Sequence, residues 1–287
     1  MSTRIGVMGG SGLYEIEGLT DIQEVRIDTP FGPPSDAFIT GKLGDAELVF
    51  LPRHGRGHVL NPSEVPYRAN IWGMKRLGVD WIVSVSAVGS LQEEIVPGHM
   101  VLIDQFIDRT KGVRPVTFFE QGVVGHVGFG DPICETLRRY LLQAANDSSA
   151  TVHDKGTYVC MEGPQFSTRA ESNLYRSWGA KVIGMTNLTE AKLAREAEIS
   201  YATLAMSTDY DCWYEGHDDV TVEAVVKVIQ ANVATARDII RRVVPIIATH
   251  QGPLPQDGVM KHAVMTSRDR LHPEAAARVS LLIGKYL

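Results

Sequence analysis

Short apolar runs closed by glycine, proline and polar clusters alternate along this chain with stretches of helical period. Arg4-Ile-Gly-Val-Met-Gly9 runs into Gly9-Gly10-Ser11-Gly12, which predicts a buried first strand ending in a turn. Further short strands are predicted at 23–28, 37–43 and 47–51, between Pro/Gly turns. Ser63 ahead of Glu64-Val-Pro66 reads as an N-cap with proline in the first turn. The helix that follows carries Ala69, Trp72 and Leu77 and stops at Gly78. Trp81 to Val88 is a second buried strand. Strands at 100–107 and 157–161 flank a helix at 131–146. A helix at 168–178, a strand at 181–185 and a helix at 189–197 lead to the apolar strand Tyr201 to Met206. Val222, Val225, Val226, Ile229 and Val233 repeat at helical spacing, which predicts a long helix over 221–243.

This alternation predicts an α/β fold, a single domain with a mixed β-sheet flanked by helices. It has no internal repeat and no low-complexity linker. The main domain is expected over 1–250, with a C-terminal tail, 251–287, packed on the same domain or a neighbouring subunit. The tail after Pro253 is the least readable part.

Composition narrows the classes. Of 287 residues, 44% are hydrophobic and 22% charged, enough apolar material for a sizeable core. The formal net charge of −6 argues against a broad nucleic-acid surface and leaves room for a small anionic ligand held by a local cluster of donors. The first residues lack the apolar core of a secretory signal, because glycines break the run after Met8. Trp81 to Leu91 is short and carries three serines, so no membrane span is expected. Cys134, Cys160 and Cys212 are scattered, which fits a reducing cytoplasm and excludes a disulfide scaffold or zinc ribbon.

Several segments carry chemistry. In Gly9-Gly10-Ser11-Gly12, glycines let successive N–H groups face one concavity and Ser11 adds a hydroxyl, which suits a phosphate; the plain alternative is a tight turn. Neither common nucleotide-loop fingerprint is present. Arg53-His54-Gly-Arg56-Gly-His58 follows an apolar strand and offers a guanidinium fork and an imidazole N–H to an anion, unless it is a solvated basic loop. His54 and His58 have metal-like spacing, but the glycines between them disfavour the helix that spacing needs, so no metal is expected. Ser84-Val-Ser86-Ala87-Val-Gly89 puts small residues at a strand's carboxyl end, where open α/β sheets bind ligands. Asp209 and Asp211 end the most apolar strand and face one side if that strand persists. Two carboxylates held close split their roles, one protonated and one ionised.

In order, the chain carries Gly-Gly-Ser-Gly-Leu13, Asp28-Thr-Pro-Phe-Gly-x-Pro-Ser35, Arg53-His-Gly-Arg56, Asn70-Ile-Trp72, Gly89-Ser-Leu91, Ile103-Asp-Gln-Phe-Ile-Asp-Arg-Thr110, Glu162-Gly-Pro-x-Phe-Ser167, Arg169-Ala-Glu-Ser172 and Thr208-Asp-Tyr-Asp-Cys-Trp213. This ordered set, from about residue 4 to about residue 245, resembles the 5′-methylthioadenosine phosphorylases of the trimeric purine nucleoside phosphorylase group. The resemblance implies a homotrimer that cleaves methylthioadenosine with inorganic phosphate as co-substrate and needs no cofactor. It places Ser11, Arg53, His54, Ser86, Ala87 and Thr186 at the phosphate, and Met185 against the ribose. Ser167, Asp209, Tyr210 and Asp211 fall at the base, and Val222 and Val225 at the 5′-methylthio group. His126 falls on a loop that closes the pocket of a neighbouring subunit.

Asp209 is then expected as the general acid toward N7 of the departing adenine, with Asp211 supporting the network around its amino group. Ser11 and Ser86 stand where many such enzymes have Thr, Gln165 where Arg is common, and Asn187 where Thr is frequent. Rival expectations are a broader phosphorylase acting on adenosine or 6-oxopurine nucleosides, a nucleosidase using water, and a silent nucleoside-binding protein.

Overall fold

The computed structural model describes residues 3–10, 12–215 and 222–287, and for 222–226 the backbone alone. The strands run β1 (Arg4–Gly9), β2 (Thr20–Val25), β3 (Phe38–Leu43), β4 (Ala46–Pro52), β5 (Trp81–Ser90) and β6 (Met100–Leu102). They continue as β7 (Gln105–Arg109), β8 (Val152–Asp154), β9 (Thr157–Met161), β10 (Val182–Gly184) and β11 (Ser200–Asp209). The helices are α1 (Tyr67–Arg76), α2 (Glu135–Asn146), α3 (Arg169–Ser177), α4 (Asn187–Glu196), α5 (Val222–Ala248) and α6 (Pro273–Ile283).

All eleven strands among the described residues join one mixed sheet in the order β2-β3-β4-β1-β5-β10-β9-β7, with β11 on β5 and β6, and β8 on β6. The branch point is β5. Its first residues pair in parallel with β1, its last two pair antiparallel with β10, and β11 follows it in parallel along nearly its whole length. Strands β4, β5 and β11 are buried on both faces, which is why they read as continuous apolar runs rather than as alternating ones. Helices α2, α4 and α5 pack against β11, and α1 packs against α4.

Some sequence expectations need correction. The predicted strand 100–107 is two strands: β6 turns to β8 and β11 while β7 turns to β9. The break falls at Asp104, whose carboxylate accepts the Gly156 N–H at 3.0 Å and whose N–H is bonded to the Gly156 carbonyl. The second strand starts at Thr20, earlier than its apolar pattern suggested. Ser63 caps no helix: its hydroxyl donates to Glu162, and α1 begins four residues later behind Pro66. The tail contains α6, whose Ala275, Val279, Leu282 and Ile283 join the main core. Glu198 ties that tail down, accepting the Met260 N–H at 3.0 Å and the Tyr286 hydroxyl at 2.8 Å.

Candidate active site

Strands β1, β4, β5 and β11 are parallel, so their carboxyl ends share one rim, the position where sheets of this kind bind ligands. A cavity of about 800 Å³ opens there. Arg53, His54, Ser86, Ala87, Met185, Thr186, Asp209 and Asp211 all line it, brought together from the ends of four strands.

At one end the polar groups are densely paired. The Arg53 side chain is 3% exposed and Glu190, on α4, is 0% exposed. Arg53 Nε and Nη2 donate to the two Glu190 carboxylate oxygens, Nη2 also donates to Ser84 Oγ at 2.6 Å, and Nη1 donates to the Val85 carbonyl at 3.1 Å. Burial opposes the Arg53 charge, but the Glu190 carboxylate outweighs it and holds the guanidinium protonated. Arg53 is therefore a buried, largely committed guanidinium rather than a free fork on a loop. Asn187 Nδ2 donates to Ser84 Oγ at 2.8 Å and to the Tyr201 and Thr203 hydroxyls, while Tyr158 donates to its Oδ1 at 3.0 Å. The amide in place of the frequent Thr thus serves this network. Thr186, the buried N-cap of α4, makes no side-chain cap bond and lines the cavity, so the positive end of the helix dipole lies at this end, which favours an anion.

His54 needs a correction of chemistry. Its Nδ1 lies 2.8 Å from the Leu60 carbonyl, which can only accept, so Nδ1 carries the proton. Burial, then the charge of Arg53, pushes its pKa down to about 4. In that neutral ring the N–H is spent on Leu60, and Nε2 is an acceptor.

At the other end, β11 is bulged between Ser207 and Asp209. The strand does not persist to Asp211, so the expected two-residue alternation fails. Asp211 sits in a 3-10 turn with φ of 51° and reaches back, its N–H donating to Asp209 Oδ1 at 2.8 Å. Thr208 donates to Asp209 Oδ2 at 2.7 Å. Both Asp209 oxygens thus accept a hydrogen bond. Burial, with Asp209 nearby, raises the Asp211 pKa, although the Ser172 hydroxyl dipole favours its anion. Asp211 Oδ2 and Ser172 Oγ, both buried, make no well-formed hydrogen bond among the described residues. Gly89 leaves room for both carboxylates, since a Cβ there would meet Asp209 Oδ1 at 3.1 Å.

The other expected residues divide. Ser167 lies outside the cavity lining; its hydroxyl faces Met161 Sδ, and its carbonyl accepts from Cys212 Sγ at 3.2 Å, next to the carboxylate turn. Tyr210 also lies outside, donating to the Glu93 carbonyl at 3.1 Å and stacking on Tyr214. His126 is exposed, its N–H held by the Ala263 carbonyl at 2.8 Å, and does not line this chain's own cavity. Ser11 lies outside the described residues, as do the side chains of Val222 and Val225. Ile229 and Val233, the next positions on that face of α5, do line the cavity.

Sequence reasoning missed Glu190, Arg114 and Phe166. Phe166 lines the cavity while 80% exposed. Arg114, itself 3% exposed, donates to Glu162 and to the Met185 carbonyl, so it fixes the backbone beside Thr186. Glu190 was findable: with Leu193, Ala194 and Ala197 it completes an i, i+3, i+4, i+7 stripe, a charge on an otherwise apolar face.

Residues 4–245 match the model of the Phosphorylase superfamily. The chain is 58% identical over 287 residues, 100% of each, to the S-methyl-5′-thioadenosine phosphorylase of Geobacter sulfurreducens. It belongs to this family of phosphorylases. Another family member, S-methyl-5′-thioadenosine phosphorylase of Thermosynechococcus vestitus, is 55% identical over all of both chains. Among solved phosphorylase structures, a methylthioadenosine phosphorylase sourced from an antarctic soil metagenomic library superposes with a TM-score of 0.93 at 46% identity, over 98% of this chain and 99% of that one. An adenosine/methylthioadenosine phosphorylase variant from Schistosoma mansoni, in complex with adenine, gives 0.86 at 36% identity, over 92% and 99%. Among the described residues no helix is long and apolar enough to cross a membrane, and no group of three or more His, Cys, Asp or Glu could hold a metal ion.

Proposed function

We propose that this chain is a pentosyltransferase that splits S-methyl-5′-thioadenosine with inorganic phosphate into adenine and 5-methylthioribose 1-phosphate, a salvage reaction. The observation that carries the reading is a single cavity joining the Arg53-His54-Ser86-Thr186 end to the Asp209-Asp211 end. The names of the full-length relatives support the same substrates.

Breaking the N-glycosidic bond develops oxocarbenium character at C1′. Phosphate held by Arg53, Ser86, the Ala87 N–H, Thr186 and the α4 N-terminus stabilises that charge and then bonds to C1′. The acceptor at His54 Nε2 suits the protonated oxygen of monohydrogen phosphate. Met185 packs on the ribose, and Ile229 and Val233 of α5 contact the methylthio group, where the resemblance also assigns Val222 and Val225. Negative charge gathers on the leaving purine, and Asp209 presents a proton to N7. A carboxylate beside the 6-amino group accepts from it and repels a 6-oxo oxygen, which sets base specificity. Ser167 and Tyr210 support this turn from behind.

The working unit of the proposal is a cytoplasmic homotrimer in which His126 closes the cavity of a neighbouring copy. Its support is a patch where exposed Val124 and Met265, linked by the Met265 N–H to the Val124 carbonyl, flank His126. The deciding experiment measures adenine release from methylthioadenosine with and without phosphate, with adenosine and inosine alongside. Strict phosphate dependence, methylthioadenosine fastest and inosine inert is the expected result. Release without phosphate would make the protein a nucleosidase.

A further inference from the structure

Arg53 reaches the cavity, but its partner Glu190 does not line it. The two stand 137 positions apart, on β4's end and on α4. Both carboxylate oxygens of Glu190 are engaged. Oε1 accepts from Arg53 Nε, and Oε2 accepts from Arg53 Nη2 at 3.1 Å, Ser84 Oγ at 2.7 Å and the Tyr201 hydroxyl at 2.8 Å. Nothing in the proposed bond cleavage uses this carboxylate, yet placing a second charge in the interior is expensive.

A guanidinium in so dry a setting attracts a phosphate far more strongly than one in water, because attraction scales inversely with the local dielectric. A site meant to turn over must also release the sugar phosphate. We infer that Glu190 is a positioning residue that sets the net charge of the anion site. It fixes the direction of the Arg53 N–H groups and cancels most of the guanidinium's charge, so phosphate is held by alignment rather than by a bare cation. The inference rests on the phosphorolysis reading.

A carboxylate that merely staples α4 to the sheet makes the opposite prediction, which gives the test its sign. In Glu190→Gln, shape is kept and the compensating charge is lost. Phosphate Kd by calorimetry and phosphate KM are expected to fall about tenfold or more. kcat falls as well, with a burst of adenine in the first turnover because product release becomes limiting, while the nucleoside KM stays within about twofold. Phosphate is also expected to raise the unfolding midpoint more in the variant than in the parent. Unchanged or weaker phosphate binding in folded E190Q overturns the inference. Glu190→Asp keeps the charge on a shorter arm and is expected to bind phosphate no more tightly than the parent; this variant decides the matter if E190Q does not fold, since tighter binding by E190D overturns the inference too. Parent enzyme that releases adenine without phosphate would break the underlying reading, whereas a phosphate-dependent parent with an untightened E190Q breaks this inference alone.

Discussion

At the anion end of the cavity, donors and acceptors are matched: Arg53 with Glu190, Ser84 and Val85, and Asn187 with Ser84, Tyr201, Thr203 and Tyr158. At the opposite end, a bulged strand and a left-handed Asp211 bring two carboxylates together, and Asp211 Oδ2 and Ser172 Oγ make no well-formed bond among the described residues. The first end is a rigid frame whose charges are settled before any ligand arrives. The second keeps polar capacity in reserve, and a buried polar group left without its partner costs free energy that, in the proposed reading, the substrate's amino group offsets. On the proposed reading, affinity for phosphate and choice of base therefore answer to different physics.

Substitutions at each end should separate the two. The largest effect is expected from Asp209→Asn, which should lower turnover of 6-amino substrates by roughly 10²–10⁴ and relax rejection of 6-oxo ones; kcat for methylthioadenosine and inosine reads both, and unchanged rates would remove Asp209 from the mechanism. Arg53→Ala should raise the phosphate KM by about a hundredfold with little change for the nucleoside, and should cost about 3–5 kcal/mol of stability by stranding Glu190; equal losses for both ligands would mean general misfolding. Gly89→Ala pushes on Asp209 by a few tenths of an ångström, so a loss of about tenfold in kcat at unchanged phosphate KM is expected.

The smallest effect lies outside the cavity and serves as a control. Burial holds the Glu196 pKa up to about 7, against bonds from the Phe118 N–H and Thr117 hydroxyl that favour its anion. The folded chain then binds a proton that the unfolded chain has released, so this group's contribution weakens as pH rises from about 4.5 to about 7. Glu196→Gln should gain about 1–2 kcal/mol relative to the parent at pH 8 compared with pH 5, with kcat unchanged; a pH-independent difference in unfolding midpoint would contradict it.

The apolar runs of β1, β4, β5 and β11 were legible because strands buried on both faces need nothing but apolar or small residues, and their ends pointed to Arg53, Ser86 and Asp209. Less legible was whatever depends on partners distant in sequence. The bulge at Thr208 defeats an argument from strand alternation, the tautomer of His54 is decided by the Leu60 carbonyl, and the tail's helix is defined by Glu198 and α1 rather than by its own weak pattern. Glu190 was legible as a charge on an otherwise apolar helix face, but its pairing with Arg53, 137 positions away, was not.

The branching of β5 has a kinetic consequence. Because that one strand pairs with β1, β10 and β11, segments from before it and from about a hundred positions after it must both reach it before any wall of the cavity exists. Contacts of such long sequence separation close slowly and together. Catalytic competence should therefore return in refolding only with the last cooperative phase, and no shortened chain lacking β11 should retain a fraction of it.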